Sequence, residues 1–405
     1  MNASRKEQIA KHLRKAGLNA LVCALPKNVL MLSGYWPVVG TGMAIASDDG
    51  VVRLIVPEDE KEFATPSFAT NIETFKPSSL KEITTAAQQI KEPLSHMLRQ
   101  LDNYVDLRIG YEQGSDTEPS SYAAMHLYQG KIPEIIREAL STAKLVTADD
   151  LLRQLRTVKT GEEISDIETG CSIAQQGFEQ AAEVLRPGVT ELEAAYEIRK
   201  RFAAALNNFR DVQRTEAFVF AMSGKNSAKA HGAFAHSTTK VIEEGDLVLV
   251  HCNSFADGLC TDITRTFSIG HIDDSRQAMY EAVFAARQSA LAKIAPGVKA
   301  ADVDHAARSV LTERGFGENF KHSTGHGVGF GAISPDAQPR LHPKSEDVLQ
   351  PGMVFNVEPA IYIDDFGGIR HCDMVAVTSD GFKLLTPFLT EKQDLVIQVG
   401  RSTHA

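Results

Sequence analysis

The sequence predicts an α+β protein of two domains, a smaller α/β domain over 1–152 and a larger domain over 153–405. Three observations predict it. The N-terminal part alternates helical and strand patterns. The remainder repeats itself once, each copy a turn, a helix and a hairpin strand. Finally, histidines and carboxylates stand at the ends of apolar strands, where burial has to be compensated by a partner.

In the first domain, Ile9, Leu13 and Ala16 lie along one face of an opening helix. "NALVCAL" (19–25) reads as a short strand and "PKNVLMLSGY" (26–35) as a second helical segment. "GMAIAS" (42–47) and "VVRLIVP" (51–57) form a hairpin about "DDG" (48–50). Residues 76–93 are polar and read as loop or surface helix, "DLRIGYE" (106–112) as another strand. "LVTADDLLRQLRTVKTGEE" (145–163) is the join.

The second domain opens with Thr160 and Glu163 as a capping box. Ile164, Ile167, Cys171, Ala174, Phe178 and Leu185 follow at a spacing that buries one helical face. Thr190 and Glu193 form a second box after "RPGV". "LRPGVTELEAAYEIRKRF" (185–202) is echoed by "IAPGVKAADVDHAARSVL" (294–311), and "EEGDLVLVH" (243–251) by "LQPGMVFNVE" (349–358). His-Gly pairs at 231–232 and 326–327 precede the two strands. Three echoes in one order imply a duplication, with two halves facing each other across a pseudo-twofold axis.

Bulk properties narrow the function classes. The chain has 405 residues, 43% apolar and 23% charged, as in an ordinary soluble protein. A net charge of −10 without a basic run argues against nucleic acid or an anionic membrane as partner. The N-terminus has no apolar core before a cleavage site, and no apolar stretch is long enough to span a bilayer. Five cysteines at irregular spacing make no disulfide framework, so the expected setting is the reducing cytoplasm.

The chemistry concentrates in "VHCNSFADGLCTDITRTF" (250–267). Asp257-Gly258 is a two-residue hairpin turn signal, which pairs Asn253 with Asp262 and His251 with Thr264. Alternation then puts His251, Asn253, Cys260, Asp262 and Thr264 on one face. His251 and Asp262 become diagonal neighbours roughly 7–8 Å apart at the backbone. The second half supplies His322 and His326 in "HSTGHGVGFG", where the glycines argue against a helical ligand pair. Glu358 interrupts the apolar strand "VFNVEPAIYI" and needs a cation, a proton or a donor array. "GGIRHCDMVAV" offers Arg370, His371, Cys372 and Asp373, but the loop "DDFGG" leaves open which of His371 and Cys372 shares a face with Glu358.

"FAMSGKNSAKAHG", "DGLCTDITRTF", "HSTGHGVGF", "LQPGMVFNVEPAIYI" and "GGIRHCD" together resemble the pita-bread hydrolases: Xaa-Pro aminopeptidases and dipeptidases, methionine aminopeptidases and creatinase. The resemblance covers 155–395, and the first domain is similar to the smaller N-terminal domain of the prolidase and creatinase branch. It implies a C–N bond hydrolase acting on a small peptide or small molecule, and a homodimer. The peptidases of this family hold two divalent metals with two aspartates, one histidine and two glutamates. Carried over, the second Asp is Asp262, the His is His326 and the first Glu is Glu358. The first Asp falls on His251 and the second Glu on Cys372, so two of the five ligands are replaced. The family's non-ligand histidines match His231 and His322, while a third falls on Ile333.

A set of His251, Asp262, His326, Glu358 and Cys372 suits one borderline-soft ion, zinc or ferrous iron, better than two hard manganese-like ions, within an expected cofactor class of divalent zinc, manganese or iron. Glu358 would then shuttle a proton while His231 and His322 bind the carbonyl, and Arg370 would pair with a carboxylate of the site or with substrate. Creatinase supplies the competing expectation of a metal-independent hydrolase of a guanidino or amide compound. A binding protein without turnover is the third. For His251 and Cys372 the structural alternatives are a satisfied core histidine and a buried thiol.

Overall fold

The computed structural model describes residues 3–77, 80–81, 83–101, 104, 106–113, 131–331 and 337–399. It divides into two compact units, Met1–Arg156 and Thr157–Ala405. The helix Asp149–Thr157 runs through position 152 without a break, so the join falls at its C-terminal end.

Among the described residues the first unit is built on one sheet. Its strands are β1 (Ala20–Cys23), β2 (Met43–Ser47), β3 (Val52–Pro57), β4 (Asn71–Phe75), β5 (Arg108–Tyr111) and β6 (Lys144–Thr147), in spatial order β4-β3-β2-β1-β5-β6. The central β1, β2 and β3 are buried at every position and are mostly apolar, with Arg53 and Ser47 the buried polar exceptions. β2 and β3 pair antiparallel around the "DDG" turn, with Gly50 at φ 85°. Ile9 and Leu13 of the first helix are buried, whereas Ala16 at its end is exposed. The polar stretch 76–93 contains the short helix Ala86–Gln89, started by a Thr85/Gln88 capping box, while residues 78, 79 and 82 lie outside the described residues.

In the second unit, β7 (Thr215–Ser223), β8 (Leu247–Ala256), β9 (Leu259–Ile269), β10 (Val354–Val357), β11 (Ala360–Ile363), β12 (Gly367–Arg370), β13 (Asp373–Val377), β14 (Phe382–Leu384) and β15 (Val396–Ile397) form three sheets. Their orders are β15-β9-β8-β7, β10-β13-β14 and β11-β12. Isolated bridges Thr264–Cys372 and Gly327–Phe355 link strands across the site. Both expected capping boxes are made, Thr160 with Glu163 and Thr190 with Glu193. Ile167, Cys171, Ala174 and Phe178 bury one face of the helix Gly161–Glu179.

The internal repeat extends to single hydrogen bonds. Gly188 N–H donates to Ile242 O at 3.0 Å, and Gly297 N–H to Leu349 O at 2.8 Å. Ile242 N–H returns to Val189 O, Leu349 N–H to Val298 O, each at 2.8 Å. Bridges Thr190–Val241 and Lys299–Val348 follow, and the helices Glu191–Ala205 and Ala300–Glu313 start at the same point. Each Pro-Gly-Val turn thus clips its helix to the loop before the strand that carries a site residue.

Candidate active site

The β8–β9 hairpin has the register its turn dictates. Asp257 and Gly258 take φ of 46° and 88°, the left-handed pair such a turn requires, and Asn253 pairs with Asp262, His251 with Thr264. His251, Asn253, Asp262 and Thr264 are all buried. Cys260 is fully buried on the same hairpin, its thiol on Thr261 O.

The glycine-rich stretch 321–331 is extended, not helical. Gly325 bridges Leu341 and Gly327 bridges Phe355. A Cβ on Gly325 would meet Asn356 O at 2.0 Å, and one on Gly327 would meet Gln338 O at 2.1 Å, so any side chain would push the strands apart. Asp304 pins this segment by accepting from Thr324 N–H and Oγ1–H, both at 2.9 Å. Asn356 Oδ1 accepts from His326 N–H at 2.7 Å. His322 and His326 therefore point to different partners. Ile333 and the start of "SPDAQPRLHP", expected as a loop at the pocket mouth, lie outside the described residues.

The open register is settled by the β11–β12 hairpin, which pairs Ala360 with Arg370. Cys372 bridges Thr264 and its thiol donates to Asp262 O at 3.2 Å, with Oδ1 at 3.6 Å. His371 turns the other way, its ring 5.0 Å from that of Phe284 and its Nε2 3.5 Å from Asp373 Oδ1.

Asp262 has two sides. Its Oδ2 lies 3.6 Å from His326 Nε2, which is itself 3.9 Å from Glu358 Oε1. Its Oδ1 lies 3.8 Å from His251 Nδ1. Arg370 brings its Nε to 3.9 Å from Glu358 Oε2. Burial and the nearby Asp262 carboxylate outweigh the opposing Arg370 and push Glu358 up to about 7. Burial drives His251 down to about 4 and His322 down to about 3, so both rings are neutral at pH 7. The same burial, with Asp262 and Glu358 adding to it, holds the Cys372 thiol well above its usual range.

One participating residue, Tyr362, carried no sequence signal, whereas Thr264 and His231 did and the structure supplies their partners. Tyr362 accepts from Arg370 Nη1 at 3.3 Å and its hydroxyl meets His322 Nε2 at 2.9 Å. Thr264 Oγ1 joins Arg370 Nε at 3.1 Å to His251 Nδ1 at 3.0 Å. His231 is exposed, edge-on to the Tyr362 ring at 5.6 Å. Alternation from Ala360, opposite Arg370, could have placed Tyr362 beside Arg370 had the loop register been readable.

Two of the five positions that would hold metals do not fit a paired-ion centre. Both ring nitrogens of His251 are engaged by neighbours, and Cys372 is a hydrogen-bonded thiol rather than a thiolate. Among the described residues no three or more His, Cys, Asp and Glu side chains come together as a set that could hold a metal ion. Nor is any helix among them long and apolar enough to cross a membrane.

Comparison with known proteins agrees with the fold. The model of metallopeptidase family M24 matches residues 165–379. The chain is 30% identical to the Xaa-Pro dipeptidase of Pyrococcus horikoshii over 380 residues, 94% of this chain and 96% of that one. It is 30% identical to the Xaa-Pro dipeptidase of Pyrococcus furiosus, covering 94% and 97%. Among solved structures, the Xaa-Pro dipeptidase from Bacillus anthracis superposes with a TM-score of 0.77 at 27% identity, covering 97% of this chain and 99% of that one. The prolidase from Pyrococcus horikoshii does so with a TM-score of 0.76 at 28% identity, covering 96% and 99%. With pseudo-twofold halves, the pita-bread architecture and these relatives, the chain belongs to metallopeptidase family M24 as a peptidase-like hydrolase.

Proposed function

We propose that this chain hydrolyses the C–N bond of a small peptide of the Xaa-Pro dipeptide class, with Glu358 as the proton-transfer group. The observation that carries the reading is the position of Glu358, buried between Arg370 and His326 and held near the protonation midpoint at neutral pH. Full-length similarity to Xaa-Pro dipeptidases supports the substrate class.

In this reading the Glu358 carboxylate takes a proton from a water molecule as its oxygen bonds to the scissile carbonyl carbon. Negative charge then develops on the carbonyl oxygen, where His231, exposed at the Tyr362 ring, donates. Glu358 returns its proton to the amine nitrogen as the C–N bond breaks, leaving a carboxylic acid and an amine. His322 has a supporting role, since Ser323 O and the Tyr362 hydroxyl engage both its nitrogens. Arg370 keeps the second carboxylate oxygen of Glu358 in place and polarises Tyr362. A homodimer in the cytoplasm belongs to the same proposal.

A second reading has one observation in its favour. Two buried carboxylates, Asp262 and Glu358, face each other's field with Arg370 3.9 Å from Glu358 as the cation, an arrangement that a cationic guanidino substrate would complete. The test is a panel of an Xaa-Pro dipeptide, a longer Xaa-Pro peptide and creatine. Dipeptide turnover lost in Glu358→Gln is the expected result. Turnover of creatine alone would replace the first reading by the second, and no turnover of any would overturn both.

A further inference from the structure

We propose that the Oδ1 side of Asp262 is a hydrogen-bonded joint built in place of an ion position, so that this chain cannot assemble a pair of divalent metals. Metal stoichiometry is set by these residues independently of the substrate class proposed above.

The amide of Asn253 sets the direction of the hydrogen-bonded chain. Its Nδ2 donates to Thr261 O at 3.3 Å, which fixes Oδ1 as the atom that faces His251. A carbonyl oxygen only accepts, so His251 Nε2, 3.1 Å away, must carry the proton. In a neutral ring Nδ1 is then bare, and it accepts the hydroxyl proton of Thr264 at 3.0 Å. Thr264 Oγ1 in turn accepts Arg370 Nε–H at 3.1 Å. The chain runs in one direction from guanidinium to hydroxyl to imidazole to amide to backbone, and every member of it is buried.

No lone pair of His251 is left for a metal. Binding through Nδ1 would displace the Thr264 hydroxyl, and binding through Nε2 would strand the Asn253 carbonyl, each leaving a buried polar group unpaired. Cys372 closes the same side. Its fully buried thiol donates to Asp262 O at 3.2 Å, and its backbone is fixed by N–H donation to Thr264 O at 3.0 Å. Charge points the same way. Two divalent ions would bring four positive charges to two carboxylates, Asp262 and Glu358, already beside the Arg370 cation.

Equilibrium dialysis of the purified chain against Mn²⁺, Co²⁺ or Zn²⁺, read by elemental analysis, tests this directly. The expected result is at most one ion per chain, and two ions per chain would overturn the proposal. The double variant His251→Asp/Cys372→Glu is expected to bind at least one ion more than the parent, and no gain in a folded variant would overturn it. Should the variant fail to fold, the parent's Co²⁺ absorption spectrum decides. A thiolate-to-cobalt band that disappears in Cys372→Ala would make Cys372 a ligand and sink the idea. Absence of that band supports it.

Discussion

Two buried carboxylates fifteen residues apart, Asp373 and Glu358, have opposite electrostatic fates. Asp373 is fully buried and accepts from Arg265 Nη2 at 2.8 Å, Thr386 Oγ1 at 2.7 Å and Arg287 Nε. Burial works against its charge, but these cations and donors hold it well below the usual carboxylate range. Glu358 faces a single guanidinium at 3.9 Å and a second carboxylate, and burial wins. The first is a clamp. Arg265 also donates to Cys372 O at 2.7 Å and to Phe388 O, so the pair fixes the link between β12 and β13 that presents Arg370 and Cys372. The second is left able to exchange a proton, and the difference lies in the number of donors in reach rather than in depth.

The comparison breaks most severely at the clamp. Asp373→Asn leaves Arg265 and Arg287 buried without a counter-charge, and should cost about 3–5 kcal/mol in urea unfolding at pH 7. Because the native pKa of Asp373 is depressed, its contribution is present above the unfolded value near 4 and fades only as pH falls below it. A loss under about 1 kcal/mol would mean that the cluster is looser than described.

Glu358→Gln should act the other way. Hydrolysis should fall by about 10²–10⁴-fold, and the parent's rate should rise with pH through about 7 as the carboxylate forms. Stability should not fall. A raised native pKa gives a contribution that is full below the unfolded value and lost as pH rises through about 7. The variant should therefore gain on the parent between pH 5 and 8, by about 3 kcal/mol at most, in thermal unfolding at matched pH. A pH-independent difference would contradict the assignment.

Thr264→Val is the mildest of the three. It keeps the shape of the side chain but unpairs Arg370 Nε and His251 Nδ1, at a cost of about 1–3 kcal/mol. An unchanged midpoint would show that the hydroxyl relay contributes nothing to holding the two sides of Asp262 apart.

How much of this was legible depended on where the turn chemistry was unambiguous. "ADGL" admits one two-residue turn, so the facing of His251, Asp262 and Thr264 could be read directly. The capping boxes and Pro-Gly-Val repeats are local signals of the same kind, each decided within a few residues. "DDFGG" offers several turns, and only packing of β12 against the 3₁₀ segment Gly224–Lys229 selects one. Ser227 Oγ accepts from Gly368 N–H at 2.8 Å, and a Cβ on Gly368 would meet Ser227 O at 2.5 Å.

By itself, then, the sequence determined the elements, the repeat, the β8–β9 register and the candidates Asp262, His326 and Glu358. The first three follow from periodicity and from turns that close over short distances; the three candidates follow from the resemblance to the pita-bread hydrolases, carried over onto those positions. Tertiary structure alone decided that Cys372 rather than His371 faces Asp262. It alone set the direction of the hydrogen bonds through Thr264, His251 and Asn253, and the number of cations each carboxylate meets. The Arg370–Thr264 and Cys372–Asp262 contacts on which these outcomes hinge join groups about 100 residues apart in the chain, where a fraction of an ångström separates a ligand from a hydrogen-bonded neighbour.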